Sequence, residues 1–374
     1  MKKGIICVLV CMLMILSTIV PVSGTVLTEK TSHPLTKGNI LYVGGLGPNN
    51  YTKIQDAIND ASDGDTVFVY DDSSPYFENL VIEKSLNLIG ETRETTVIDG
   101  NQQEDKDVIL IKADEVTVRG FTIQNASIKG GYPDYDNGIE IWSNNNIITD
   151  NIIRDTTMGI QLGEEVKYQD HENNHSNFNL IEGNSIIDNH FAGVYVIFSD
   201  NNEIVRNTIS GNAYHGVFLD SDSSRNKVSQ NIITNHNQVG ILIGGGTNNT
   251  IVGNHIVGNK WGVSILYSSL NSINHNNIFN NSRNAVVQAD SLNLLMSRLL
   301  YHERIFDQTW DENYWGRPYL GPKPIMYALL LLIPTYFIQI LNIVLGTQLA
   351  VVLPIPHFDW HPAQEPYDIP LRDR

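Results

Sequence analysis

The sequence predicts an all-β chain wound as a right-handed parallel β-helix, and three observations carry that reading. The phrase Asn-x-Ile-x-x-Asn-x-Ile recurs six times in outline, starting at Asn146, Asn179, Asn202, Asn226, Asn249 and Asn271. A Gly-led apolar segment follows each copy, at Gly159, Gly193, Gly216, Gly240 and Gly262, with Gly138 opening the series and Ala285 closing it. Within every copy, apolar residues stand two apart, as in Gly193-Val-Tyr-Val196, which is strand alternation and not a helical stripe.

The first Asn recurs at 33, 23, 24, 23 and 22 residues. A fixed period of that length is the mark of a solenoid. Segments are β-branched and divided by Asn, Gly, Asp and Ser, the turn formers, with no room for a ten-residue helix between them. About 23 residues suffice for one coil of three short strands, and stacked coils lie ~4.8 Å apart. Equivalent residues then form files: Ile153, Ile186, Ile209, Ile233, Ile256 and Ile278 in one, Val194, Val217, Ile241 and Val263 in another. The Asn columns read as scaffold, because Asn tolerates the left-handed conformation at a bend and in-register amides bond to one another.

Taken in order, residues 1–24 carry Lys2 and Lys3, an apolar run and the small-residue context Val22-Ser23-Gly24, as a secretory signal peptide does. Cys7 and Cys11 both fall inside it, so the exported chain is expected to lack disulfides and thiolate metal sites. Residues 25–39 read as a linker. Thr52-Lys-Ile-Gln55 resembles a capping box, and Ile54, Ala57, Ile58 and Ala61 share one face of a helix that would cover the first coil's open edge. The β-helix is placed at 40–290, roughly nine coils and about 45 Å long. Residues 291–323 read as a C-terminal cap and 359–374 as a polar tail.

Residues 324–358 contain no Asp, Glu, Lys or Arg. About 20 apolar residues span a bilayer as a helix, so this stretch is expected to be a membrane segment, giving an extracellular, membrane-attached surface protein. Without the two signal lysines, 22 basic residues stand against 41 acidic ones, a net of −19. That surface repels nucleic acid; it could hold Ca²⁺ loosely, but no cofactor is called for. Asn50, Asn125, Asn174, Asn248 and Asn280 open Asn-x-Ser/Thr sequons and are the glycosylation candidates.

Several segments resemble a known family. Ser62-Asp-Gly-Asp-Thr-Val-Phe-Val69, Leu86-Asn-Leu-Ile-Gly90, Val97-Ile-Asp-Gly100 and Val118-Arg-Gly-Phe-Thr-Ile123 look like the opening of NosD-like β-helix proteins. These belong to the broad group of carbohydrate-binding proteins and sugar hydrolases with pectin-lyase-like solenoids. Trp310-Asp-Glu-Asn-Tyr-Trp315 and Phe358-Asp-Trp-His-Pro-Ala-Gln-Glu-Pro-Tyr-Asp368 resemble the closing motifs of archaeal surface members. The resemblance implies the fold and leaves the activity open. It also implies a shorter link between the closing motifs, so the apolar stretch reads as an expansion. If both motifs pack on one side, that stretch must leave and return on the same side, as a hairpin bent near Pro334.

The candidate functional surface is the outward side of the Gly-led strands: Glu140, Trp142, Gln161, Tyr195, Phe218 and Asp220. Aromatic faces beside carboxylates and amides suit sugars, so the expected partner is a polysaccharide or cell-envelope glycan, bound without catalysis or within a structural envelope role. The alternative is a polysaccharide lyase or glycoside hydrolase on the same face. Its candidate pair, Glu140 and Asp220, starts three coils apart, about 14 Å along the axis, beyond the ~5–10 Å of working carboxylate pairs. His171-Glu-Asn-Asn-His175 spells a zinc-protease motif, but Asn173, Asn174 and Ser176 argue against the helix it needs. Only a looped metal site from Asp170, His171 and His175 remains. His190, His215, His236, His255 and His275 share no column, and soft-metal chemistry favours Cys and Met, of which the exported chain is expected to keep no Cys and only Met158, Met296 and Met326.

Overall fold

A computed structural model describes residues 38–129, 135–164, 175–289, 308–319, 321–331, 351–353 and 357–369. The signal-peptide and most of the linker reading, Asp170, His171 and Asn174, and the centre of the apolar stretch lie outside them. Three parallel sheets of 11, 12 and 9 strands run the length of the solenoid. The β-branched periodicity explains them: each coil gives one short strand to each sheet, with side chains alternating between interior and surface. Ile153, Ile186, Ile209, Ile233, Ile256 and Ile278 pair in unbroken register, and Val194, Val217, Ile241, Val263 and Ala285 do the same. Every Ile in the first file is fully buried.

The solenoid is longer than nine coils. Its 11-strand sheet begins at Ile40–Val43 and ends at Thr309–Asp311, and Lys323–Leu331 extends the 12-strand sheet, so the stack passes residue 290.

The Asn columns are hydrogen-bonded ladders. Asn179 Oδ1 accepts from the backbone N–H and the side-chain amide of Asn146 at 2.8 and 2.9 Å, while its own Nδ2 reaches Asn202 and the Ser143 carbonyl. The pattern continues through Asn226, Asn249 and Asn271 to Gln308. A second ladder runs from Asn151 through Asn207 to Asn276, Asn313 and Asp359. The sequence reading missed a third, five residues on, through Asn189, Asn212, His236, Asn259 and Asn281; His236 stands in it as a fourth-coil substitute.

One expectation is corrected here. The ladder Asn residues do not adopt the left-handed conformation; the residue before each one does. Asn145, Asp150 and Asp155, then Phe178, Gly183 and Asp188, then Asn201, Arg206 and Gly211 all have positive φ. The corner itself turns at that residue, which frees the ladder amide to point inward.

The helix Ile54–Asp60 buries Ile54, Ala57 and Ile58 against the first strands, as its spacing predicts. Its cap is not the local box, because Lys53 caps without a side-chain bond. Glu78 accepts instead from the Ile54 and Gln55 amides, and Lys84 donates to the carbonyls of Ile58, Asn59 and Ala61. The Gln55 amide group both donates to and accepts from Val81, so it pairs the exposed sheet edge.

At the other end, both closing motifs pack together. Asp359 is fully buried and accepts from Asn313 and, at 2.9 Å, from the Trp315 indole. Tyr367 bonds Asn277, and His361 meets Asp311. Lys323–Leu331 runs antiparallel to Val351–Leu353 and His357–Asp359, so the chain leaves and returns on one side. The described parts of 324–358 are strands, and among the described residues no helix is long and apolar enough to cross a membrane.

Candidate functional site

The register gathers Glu140, Gln161, Tyr195 and Phe218 into one file on the outer side of the 12-strand sheet. Trp142 and Asp220 lie two residues further along their own strands. Most of this file is covered, not open: Glu140, Gln161 and Tyr195 are only 7%, 5% and 7% exposed. Tyr195 donates to Asp220 at 2.8 Å and packs on Phe218, inside a second apolar cluster with Met158, Ile197, Phe191 and Tyr135. The cluster fills the outward side because small Ala192 and the ring of His215 alternate with large apolar groups there. Glu140 and Asp220 stand three rungs apart, as their spacing implies.

The file opens only at its N-terminal end, into a cavity of about 670 Å³. Trp142 and Tyr135 line it together with Asp105, Asp107, Asp136, Glu140 and Glu164, and among the described residues Lys106 is its one lining cation. Asp107 was not among the sequence candidates. It precedes Ile109–Ile111, which pairs with Ile139–Ile141 so that Leu110 faces Glu140. A closed network results. Asp107 accepts from the Asn137 amide at 2.7 Å, Asn137 Nδ2 donates to Gln161, and Gln161 Nε2 donates to Glu140 at 2.9 Å.

The electrostatics follow from crowding acids where water is scarce. Burial raises Glu140 well above the ordinary carboxylate range, and the neighbouring Asp107 adds to it. Burial also lifts Asp107 to about 6, partly opposed by its hydrogen bonds to Glu140 and Asn137. Two such acids share a proton more readily than they both ionise. Asp136 is 3% exposed and is raised by burial against the Ser127 hydroxyl, yet its Oδ2 has no hydrogen-bond partner among the described residues. One face of Trp142 is near a cation already, since Lys112 Nζ lies 5.4 Å from its ring centre. Chemically, the cavity offers two aromatic surfaces, a proton held between two acids, and one unsatisfied carboxylate oxygen.

The remaining candidates separate. His175 reaches the Phe198 carbonyl and is the one described member of the looped metal set. Asn248 and Asn280 are exposed at corners, whereas the amides of Asn50 and Asn125 donate inward to Gly44 and Asp99.

The sequence model of the NosD family, described as periplasmic copper-binding protein, matches residues 166–321. The chain is a right-handed parallel β-helix, and residues 166–321 of it are similar to the NosD family. No curated protein matches it. Among solved structures, the catalytic domain of a GH87 α-1,3-glucanase is 11% identical with a TM-score of 0.51, covering 80% of this chain and 58% of that one. Pectate lyase Pel9A is 14% identical (TM-score 0.48; 68% and 76% covered). A mannuronan C-5 epimerase A-module of Azotobacter vinelandii is 16% identical (TM-score 0.45; 71% and 82% covered). At these identities the likeness is one of fold, shared by lyases, epimerases and glycoside hydrolases.

The copper in the family's description finds no matching donor set among the described residues of this NosD-like chain, where no group of three or more His, Cys, Asp or Glu is arranged to hold a metal. Both ring nitrogens of His236 face backbone carbonyls, at 3.3 and 3.2 Å, and burial lowers His215 and His236 to about 4.

Proposed function

We propose that this protein is an extracytoplasmic glycan-binding β-helix whose ligand site is the cavity between Tyr135 and Trp142. One observation carries the reading: aromatic rings and hydrogen-bonding acids converge on a concavity of sugar size, on an otherwise regular solenoid. The rest of the predicted strip, Gln161 to Asp220, supports the cavity wall from behind. Attachment to a membrane through the apolar centre of 324–358 belongs to the same reading, and the return of both closing motifs to one side favours the hairpin over a single span. Protease protection of the 359–374 tail in sealed vesicles would sink the hairpin.

A screen of the full chain against a glycan array tests the binding. The expected result is retention of at least one glycan, lost in Trp142→Ala and weakened in Tyr135→Ala. Retention unchanged in both variants removes the cavity from the reading. A hydrolytic role is the second reading, favoured by the proton Glu140 holds beside Asp107, the state a general acid requires. New reducing ends released from a bound glycan, and absent with Glu140→Gln, would establish it.

A further inference from the structure

The cavity's charge says which glycan. We propose that it is a subsite for a sugar unit bearing a free protonated amine, with the ammonium seated among Asp107, Asp136 and Glu140; this rests on the glycan-binding reading above. Among the described residues, five carboxyl groups and a single lysine line the space. A uronate polymer would bring like charge into a poorly solvated site, and a neutral sugar, whose hydroxyls can donate to Asp136 Oδ2, would bring no charge to offset the repulsion among the acids. An ammonium group supplies three donors and the opposing charge. It therefore satisfies the unpartnered oxygen, offsets the repulsion between Asp107 and Glu140, and leaves the sugar's C–H face for Tyr135 and Trp142.

The titration of the site gives the proposal a second handle. Entry of a cation favours the ionised form of the acids around it, so binding expels the proton shared by Asp107 and Glu140. Affinity then rises between pH 5 and pH 7, with proton release. The facing groups that set this are Asp105, Lys106, Asp107, Asp136, Glu140 and Glu164; Lys112 lies on Trp142 and opposes cation entry.

The experiment is calorimetry on the full chain with four probes: a glucosamine oligomer, its fully N-acetylated counterpart, an oligogalacturonate and a linear polyamine. The free-amine oligomer is expected to bind about tenfold or more tightly than the acetylated one, the size of one charge-assisted hydrogen bond. That preference should shrink in high salt. It should fall below about threefold in Asp136→Asn and in Glu140→Gln, each of which is checked for a retained β-helix by circular dichroism. Equal binding of both glucosamine oligomers overturns the amine inference and leaves the glycan reading standing. Tighter binding of oligogalacturonate overturns it as well. Polyamine binding as tight as the free-amine oligomer removes the sugar and reduces the site to a cation site. Failure of all three oligosaccharides overturns the glycan reading itself.

Discussion

The early coils, up to about residue 129, and the regular coils from 138 to 289 solve the same stacking problem with different chemistry. In the regular coils the column before the first sheet holds Asn146, Asn179, Asn202, Asn226, Asn249 and Asn271, each bonded to the next. The early coils place Asp65, then Leu86 and Val116, at the same column, as the backbone pairing shows. The Gly that opens each regular outer strand has its counterpart in Val108, which is fully buried. One region is held by saturated amides and close backbone contact, the other by side-chain packing. The candidate site lies at the seam, where Asp107 of the last early strand meets Glu140 of the first regular one. Regularity supplies rigidity, and the break in it supplies a cavity.

The strongest way to break the comparison is to interrupt a ladder. Asn207→Ala removes the acceptor for the Asn184 backbone N–H and amide and the donor to the Ile181 carbonyl, all buried. Two or three orphaned groups cost about 4 kcal/mol together. Denaturant unfolding should show that loss, whereas Val116→Ala in the early column should cost about 2 kcal/mol, as an ordinary core truncation does. Equal losses would mean the ladder adds nothing beyond packing.

The second prediction uses a titratable rung of the third ladder, His236. His236 has its pKa lowered by burial to about 4, against about 6.5 in the unfolded chain. The unfolded state therefore binds the proton first. Stability is fully present above about pH 6.5 and declines as pH falls toward 4, by about 3 kcal/mol. His236→Asn restores the column and should remove that part of the acid sensitivity. A chemical-denaturation series from pH 7.5 to 4 measures it; an unchanged slope in the variant would overturn the assignment.

How much of this was readable beforehand follows the same division. The six Asn repeats announced the fold and the buried files because identical coils stack with identical register. The third ladder was legible at the same five-residue step, through Asn189, Asn212 and Asn259, but Thr156 and His236 masked it. The corner conformation was misassigned because Asn is common at both positions, and only backbone geometry separates Asn145 from Asn146. Asp107 escaped notice because its coil lacks the opening Gly, so Asp107-Val-Ile-Leu-Ile111 was not set against Asn137-Gly-Ile-Glu-Ile141. That alignment would have put Asp107 beside Asn137 and three residues from the row of Glu140. Burial of the strip depends on Tyr135 and Phe191, which stand outside the strands and follow no period.

A third test asks whether the Gly column is as demanding as the contacts imply. A Cβ on Gly216 would lie 2.5 Å from the Gly240 carbonyl oxygen and 2.6 Å from Ile233 Cγ2. Backbone cannot yield there, so Gly216→Ala should cost about 2 kcal/mol in unfolding free energy. Val108→Ala in the early coils, where a side chain already fits, should cost about 2 kcal/mol for the opposite reason, because two methyl groups leave a filled core. A tolerated Gly216→Ala would show that coil spacing relaxes more easily than the ladder contacts suggest.

The smallest effect probes the corners, where the regular coils are themselves uneven. Gly253 turns a second-ladder corner before Asn254 with φ of 68°, and Leu270 turns a first-ladder corner before Asn271 with φ of 59°. A left-handed leucine carries about 1–2 kcal/mol of strain that glycine avoids, but glycine also loses more freedom on folding. Leu270 is 44% exposed, so little packing is forfeited when it leaves. Leu270→Gly should therefore gain about 0.5 kcal/mol, the difference between those opposing terms. Gly253→Ala, with no atom nearer than 3.7 Å to the new methyl group, isolates the strain alone and should lose about 1 kcal/mol. If both variants lose stability, the corner is set by side-chain packing and not by backbone strain, and the regular coils resemble the early ones more closely than their ladders suggest.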